Sequence, residues 1–253
     1  MFSLSNKRAI VTGAASVRGI GRAIALALAH QGADVAVCDI DLQGVKNLAS
    51  EIRKTDREAL AYQVDVTRAA EIARMVDDLY KRWNRVDILV NNAGITQRSK
   101  VIDMSETDWD RVLDVNLKGT FLFTKALLPA MISQKYGRII NMGSVSGKRG
   151  GGIFGGAHYS AAKAGVQVFA KALAREVSPE GITVNSVAPG LIATDIRGGL
   201  ESTDEQARMS ADIPCRRMGT PEEVAAVVCF LASDEAAYIT GEEIDINGGS
   251  HMD

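Results

Sequence analysis

RAIVTGAASVRGIGRAIALALAHQGADVAVCD, residues 8–39, is the stretch whose reading decides the fold. The apolar, β-branched run 8–12 reads as a buried strand. Residues 21–31 carry the helix formers and apolar content of a packed helix, and Gly32 stands where helices end. Residues 34–37 resume a strand that ends at Cys38 and Asp39, so the chain opens with a βαβ unit. Between strand and helix lies Thr12-Gly13-Ala14-Ala15-Ser16-Val17-Arg18-Gly19-Ile20-Gly21. Glycines there let the backbone approach a pyrophosphate, and the helix start supplies free N–H groups and a favourable dipole. A glycine loop alone also serves merely to end a strand. Its position between strand and helix, with Asp39 about 20 residues on to accept from ribose hydroxyls, favours a dinucleotide. The Asp39 carboxylate repels a 2′-phosphate, which favours NAD over NADP. Arg18 is a counter-signal, but it lies within the phosphate loop itself.

The alternation continues outward. Residues 42–54 are amphipathic, 59–64 form a third strand running into Asp65-Val66, and Thr67 is placed to cap a helix over 69–83. A fourth strand, 86–90, runs into Asn91-Asn92-Ala93-Gly94, where amides and small residues suit a cofactor as well as an ordinary turn. Ser105 with Asp108 resembles a capping box and opens a long helical segment to about residue 134. Asn116 lies inside it, a poor helix-interior residue unless its side chain or a local distortion is used. Strand 138–142 delivers Ser144. A glycine-rich stretch follows, then a helix to about residue 177, a strand over 182–187 and Pro189-Gly190. Residues 191–212 have weak periodicity and read as a variable cap or lid. Thr220-Pro221-Glu222-Glu223 is a helix start for a final helix to 232, and 243–246 is the last strand. Strands alternating with helices throughout give an α/β doubly wound parallel sheet flanked by helices on both faces.

One pair stands out chemically. Tyr159 and Lys163 sit at i and i+4 of a helix, on one face. An ammonium beside a phenol favours the phenolate, and proton transfer at an alcohol or ketone near neutral pH needs such a tuned group. A surface Tyr and Lys that happen to share a helix face would look the same in isolation.

The composition bounds the partners. The 253 residues are 46% hydrophobic and 24% charged, with 29 Lys and Arg against 31 Asp and Glu. That balance marks no nucleic-acid or membrane partner. Cys38, Cys215 and Cys229 are odd in number and lack metal-ligand spacing, so they read as reduced packing residues with no metal site. Residues 1–7 are too short and polar for a signal peptide, and a cytoplasmic protein is expected. No Pro- or Ser-rich linker divides the chain, so residues 1–253 read as one domain, with substrate loops at 145–158 and 191–212.

Taken together, TGAASVRGIG, Asp39, Asp65-Val66, NNAG at 91–94, Asn116, Ser144, YSAAK at 159–163, Pro189-Gly190 with Thr194, and TGEEIDINGG resemble the short-chain dehydrogenase/reductase family over nearly the whole chain. The resemblance implies a Rossmann-type fold. It implies Tyr159 as general acid/base, Lys163 tuning it and binding the nicotinamide ribose, Ser144 positioning the substrate oxygen, and Asn116 holding a proton relay. It further implies Gly13, Arg18, Gly19, Ile20 and Gly21 around the pyrophosphate, Asp39 at the adenosine ribose, and Asp65 and Val66 at the adenine. Asn92, Ile192 and Thr194 are implied at the nicotinamide. A homotetramer is implied, with helices around 105–134 and 159–177 making one interface and the C-terminal segment another. The expected activity is hydride transfer between NAD and a secondary alcohol or ketone, with a sugar, polyol or hydroxy acid favoured. The alternatives are a 3-oxoacyl-acyl-carrier-protein reductase, which REVSPEGITVNSVAPG and SDEAAYITGE resemble, and a non-catalytic dinucleotide sensor. Two departures concern length. Five residues separate Gly13 from Gly19, more than in the family's TGxxxGIG. Ser144 and Tyr159 are 15 positions apart, also longer than is common.

Overall fold

The computed structural model describes residues 2–151, 155–197 and 203–252. Among them, strands β1 (Arg8–Thr12), β2 (Asp34–Asp39), β3 (Ala59–Gln63), β4 (Ile88–Asn91), β5 (Gly137–Met142), β6 (Ile182–Pro189) and β7 (Glu243–Ile246) form one sheet. Its order is β3-β2-β1-β4-β5-β6-β7, and every neighbouring pair is parallel. The order reverses between β1 and β4, and such a switch point opens a ligand crevice at the carboxyl ends of the strands.

Helices cover both faces, which is why the strands read as unbroken apolar runs rather than alternating ones. Val11, Val35, Val37, Ile88, Val90 and Ile140 face a layer built by α1 (Ile20–His30), α2 (Leu42–Arg53) and α9 (Pro221–Ala232). Their neighbours Ile10, Ala36, Cys38, Leu89 and Ile139 face α3 (Ala69–Trp83), α5 (Gly119–Ser133) and α7 (Ala157–Val177). The side-chain period of two along each strand thus splits the core into two clusters. Phe123 is fully buried in the second, where truncation to Ala would cost about 3–5 kcal/mol.

Local sequence signals decide most helix ends. Ser105 accepts the Asp108 N–H at 3.0 Å and opens α4 (Glu106–Leu113). Thr220 and Glu223 form a full capping box around Pro221. Thr67, however, is not a cap. Arg68 holds that position without a side-chain bond, because Thr67 donates to Asp65 instead, at 2.7 Å. The helix expected to run on to residue 134 is also interrupted. One π-helical turn, Asp114–Lys118, separates α4 from α5. Asn116 Nδ2 donates to the carbonyls of Val112 and Ile95, at 2.9 Å each, so the side chain takes over from the regular ladder.

The two expected substrate loops are not wholly irregular. A short helix, α6 (Val145–Arg149), fills the start of 145–158, and 191–212 contains a 3-10 turn, Asp195–Arg197, and α8 (Thr203–Ser210). Residues 152–154 and 198–202 of these loops lie outside the described residues. No helix among the described residues is long and apolar enough to cross a membrane.

Candidate active site

A cavity of about 570 Å³ opens at the switch point. At one end it is lined by Gly13, Gly19, Ile20 and Asp39, and at its centre by Asn92, Asn116, Ser144, Tyr159, Lys163, Ile192 and Thr194. Four of the residues expected at the cofactor lie outside that lining. Gly21 packs into the floor, where an added Cβ would stand 2.5 Å from Asn92 Nδ2 and from the Gly13 carbonyl. Arg18 forms an ion pair with Asp195 across the cavity mouth, and Asp195 also accepts the Arg18 N–H at 3.3 Å. Asp65 is held by Thr67 and Arg68, and Val66 packs beside Gly119. Asp65 borders a separate shallow groove with Ile40 and Gln63.

The dinucleotide end is built from backbone. Gly13 has φ +67°, and a Cβ there would stand 2.6 Å from Ala93 Cα; both facts demand glycine. Thr12 Oγ1 accepts the N–H groups of Asn92 and Ala93 at 3.0 and 2.9 Å, and Asn92 Nδ2 donates to the carbonyls of Thr12 and Gly13. The NNAG turn therefore stitches the end of β4 to the glycine loop. The Asn92 amide donors are spent on that stitch. Gly19 caps α1 with extended backbone and no side-chain bond, and the first turn has no acidic residue. Its leading N–H groups are left open beside a cavity that Gly19 and Ile20 line, the donor set an anionic pyrophosphate requires. Asp39 accepts the N–H groups of Ala15 at 3.0 Å and Asp41 at 3.2 Å. The carboxylate thus shapes the loop as well as facing the cavity. These residues fit a nicotinamide dinucleotide.

The chemistry sits in the centre. α7 places Tyr159 and Lys163 one turn apart, with the Lys163 ammonium 5.7 Å from the centroid of the Tyr159 ring. Ser144, just beyond the end of β5, lines the cavity with Tyr159, where its hydroxyl favours the phenolate, and accepts the Ser146 N–H at 3.1 Å. Lys163 is 5% exposed and donates to the Met142 carbonyl at 2.7 Å; burial pushes its pKa down to about 8. The expectation of a phenol lowered by Lys163 is not met. Burial pushes Tyr159 above its ordinary value, offset in part by the Ser144 hydroxyl, because desolvation disfavours the phenolate. Asn116 Oδ1 is buried without a partner. A Cβ on Gly94 would stand 2.6 Å from that oxygen and 3.4 Å from Lys163 Nζ, so both polar atoms border the same small space. An orphan acceptor beside an amine suits a bridging water or hydroxyl.

Several contributors carry no readable signal in the sequence. Gln167 is buried on α7 and donates to the Ser144 carbonyl at 2.9 Å. Its position one turn beyond Lys163 is the only hint. Arg149, Met209, Asp212 and Ser250 line the far end of the cavity from three separate segments. Cys38 and Cys229 are buried with pKa values pushed upward by desolvation, which argues against thiolate chemistry. Among the described residues no group of His, Cys, Asp and Glu is arranged to hold a metal ion.

Known proteins resemble this chain in sequence and fold. The family model described as enoyl-(acyl carrier protein) reductase matches residues 13–251. The chain is 45% identical over 247 residues to an uncharacterized short-chain type dehydrogenase/reductase of Sinorhizobium fredii, covering 97% of this chain and 98% of that one. It is 44% identical to the 3-oxoacyl-[acyl-carrier-protein] reductase of Salmonella typhimurium, covering 99% and 100%. A crystal structure of a short-chain type dehydrogenase/reductase from Mycobacterium marinum superposes with a TM-score of 0.93 at 38% identity, covering 100% and 98%.

Proposed function

Given that the chain belongs to the short-chain dehydrogenase/reductase family, we propose that it interconverts a secondary alcohol and a ketone with NAD, its substrate drawn from sugars, polyols and hydroxy acids. Membership makes it an oxidoreductase of CH–OH groups with NAD(P), and the non-catalytic sensor is set aside. The observation that carries the proposal is the convergence of Ser144, Tyr159 and, one helical turn on, the buried Lys163 in the cavity that Asp39 and the glycine loop also line.

When bound, the nicotinamide supplies the carbon that takes or gives the hydride, so that alcohol and NAD⁺ become ketone, NADH and a proton. The protein supplies position and protons. Ser144 holds the substrate oxygen beside the Tyr159 hydroxyl. In reduction the buried phenol, kept protonated by its surroundings, donates to that oxygen; in oxidation its phenolate accepts the hydroxyl proton. Lys163 binds a ribose hydroxyl and, through the space bordered by Asn116 Oδ1, passes the proton outward. The open first turn of α1, with Gly13, Gly19 and Ile20, holds the pyrophosphate. Arg18, Gly21, Asp65, Val66, Asn92, Ile192 and Thr194 complete the cofactor's surroundings.

NAD is preferred because the Asp39 carboxylate, held in place by two backbone N–H groups, faces the cavity and repels a 2′-phosphate. A second reading, reduction of 3-oxoacyl thioesters, is supported by the Salmonella relative and by the apolar lining from Val145, Leu191, Ile196, Met209 and Ile213. We further propose one domain over residues 1–253, a cytoplasmic location and a homotetramer. The exposed Trp109, Phe121 and Val168 on α4, α5 and α7 support that assembly. Steady-state assays of an alcohol panel with NAD⁺ and a 3-oxoacyl thioester with NADH and NADPH test both readings. Turnover with NAD as the better cofactor is expected; a strong preference for NADPH overturns the cofactor assignment.

A further inference from the structure

The far end of the cavity is chemically lopsided. Val145, Leu191, Ile196, Met209 and Ile213 contribute apolar side chains to its lining, and Arg149 lines the same cavity as an exposed cation. A sugar or polyol asks for a dense set of hydrogen-bonding groups, which these five side chains lack. An aliphatic skeleton does not.

Arg149 is held from two sides. α6 is tied to β7 by the Lys148–Asp245 ion pair at 2.8 Å, with the lysine side chain 10% exposed. The Arg149 guanidinium then donates through Nη1 to the Ser250 carbonyl at 3.1 Å. Ser250 itself belongs to a braced turn. Asn247 is buried, accepts the Gly249 N–H through Oδ1 at 2.8 Å and donates to the His251 carbonyl at 2.9 Å, while its carbonyl accepts the Ser250 N–H. A guanidinium has five N–H donors, and one is used. Asp212 lines the same end, but no ion pair among the described residues joins it to Arg149. The other acids on the lining are Asp39, at the dinucleotide end, and Asp195, already paired with Arg18.

We propose that Arg149, oriented by Ser250, is a carboxylate subsite, and that the substrate is an aliphatic hydroxy acid or the matching oxo acid. This rests on the alcohol/ketone reading above and narrows it. A planar fork of N–H donors matches a carboxylate. α6 spans about 7.5 Å between Ser144 and Arg149 at its rise per residue. The subsite therefore serves a carboxylate set a few carbons from the carbinol, and the carboxylate takes no part in the bond changes. Arg149 is a specificity residue, not a catalytic one.

The test compares 3-hydroxybutyrate, 3-hydroxyhexanoate and 5-hydroxyhexanoate with their methyl esters, a 3-hydroxybutyryl N-acetylcysteamine thioester, a phosphate monoester of similar length, and neutral 2-octanol. Each is assayed with NAD⁺ on the wild type, Arg149→Ala and Arg149→Lys. At least one acid is expected to exceed its ester 10- to 100-fold in kcat/KM. Arg149→Ala closes that ratio to within a few-fold, mainly through KM, and Arg149→Lys restores part of it. Equal acid and ester values, a preference for the thioester or the phosphate ester, or equal proportional losses on acid and ester in Arg149→Ala overturn the subsite. If 2-octanol or the esters turn over in a Tyr159-dependent way while acids gain nothing, the subsite fails and the dehydrogenase reading stands. If no compound turns over, that reading fails, and calorimetric titration of the acids into the NADH-loaded chain decides the subsite. Binding at least tenfold weaker in Arg149→Ala supports it, and no binding, or equal binding, overturns it.

Discussion

Two segments of this chain, 13–21 and 144–159, exceed the spacing that the family resemblance leads one to expect, and they have met opposite fates. The glycine loop between β1 and α1 is locked down. Ala14 is fully buried, the Ala15 N–H is held by Asp39, and Ala15 packs over Gly44 of α2, where a Cβ would stand 2.6 Å from the Ala15 methyl. The segment between Ser144 and Tyr159 is open at Gly150 and Gly151. Arg149, Gly150 and Gly151 are exposed, and a Cβ on either glycine would meet nothing within 4 Å. Extra length on the cofactor side has been absorbed into the scaffold. On the substrate side it has been left at the rim, where it sets shape without cost to the core. Between them lies the centre of the site, which neither extension displaces.

That centre gives the largest expected effect. Tyr159→Phe is expected to lower kcat by about 10³-fold or more, within the span of a lost general acid/base, while NAD affinity measured by NADH fluorescence stays within about twofold. Because burial raises the phenol's pKa, alcohol oxidation by the wild type should climb with pH and should not level off below pH 10. Residual activity above a few per cent in the variant would break the division between centre and rim.

Legibility in the sequence follows the same division. All seven strands and most helices were readable because a parallel sheet covered on both faces needs long apolar runs, and because caps such as Thr220-Pro221-Glu222-Glu223 are local. Tyr159 and Lys163 were readable because one helix carries both. The pairing of Ser144 with Tyr159 required a resemblance, since 15 residues and a glycine-rich stretch intervene. Gln167, Ser250 and the seat of Ala15 on Gly44 were not readable at all. Each is a contact between segments distant in sequence, and no period or spacing announces it. The tuning of Tyr159 departs from expectation for a related reason. The pairing with Lys163 was visible in the sequence, but the burial that raises the phenol was not.

Lys163 gives the next effect, this time on stability. Its folded pKa, about 8, lies below the ordinary value of 10.5, so between these pH values the unfolded chain binds more protons and stability rises with pH. Below pH 8 the full penalty applies, at most about 3 kcal/mol. Lys163→Met removes the buried ammonium. The variant should therefore be at least as stable as the wild type at pH 7, and its advantage should shrink by pH 9.5, read from urea midpoints. A variant that gains on the wild type as pH rises would contradict the sign.

Gly44 tests the locked loop. Helix propensity alone would favour any residue but proline there, yet a side chain meets Ala15 Cβ at 2.6 Å and the Ala15 carbonyl at 3.0 Å. Gly44→Val should therefore push the loop off α2 and weaken NAD binding about tenfold, or about 1.4 kcal/mol. kcat at saturating NAD should fall far less. Unchanged affinity would mean that the loop is seated by Asp39 alone.

The open segment should respond least in affinity and most in selectivity. Deleting Gly150 and Gly151 removes two residues with φ of +69° and +41°, where an added Cβ would meet nothing within 4 Å, together with one hydrogen bond from the Gly151 N–H to Ser160 Oγ at 3.0 Å. Loop-closure entropy changes slowly with length, so the melting temperature should move by no more than a degree or two, and NAD affinity by less than about twofold. The connection from α6 to α7 would nevertheless be shortened at the point where Arg149 leaves the helix. The order of kcat/KM values across a substrate panel should shift by a few-fold as the rim closes around a different shape. A deletion that lowered NAD affinity as much as Gly44→Val would show that the two extensions are coupled. A direct route exists, because Asp195 joins Arg18 of the first extension to the substrate side of the mouth.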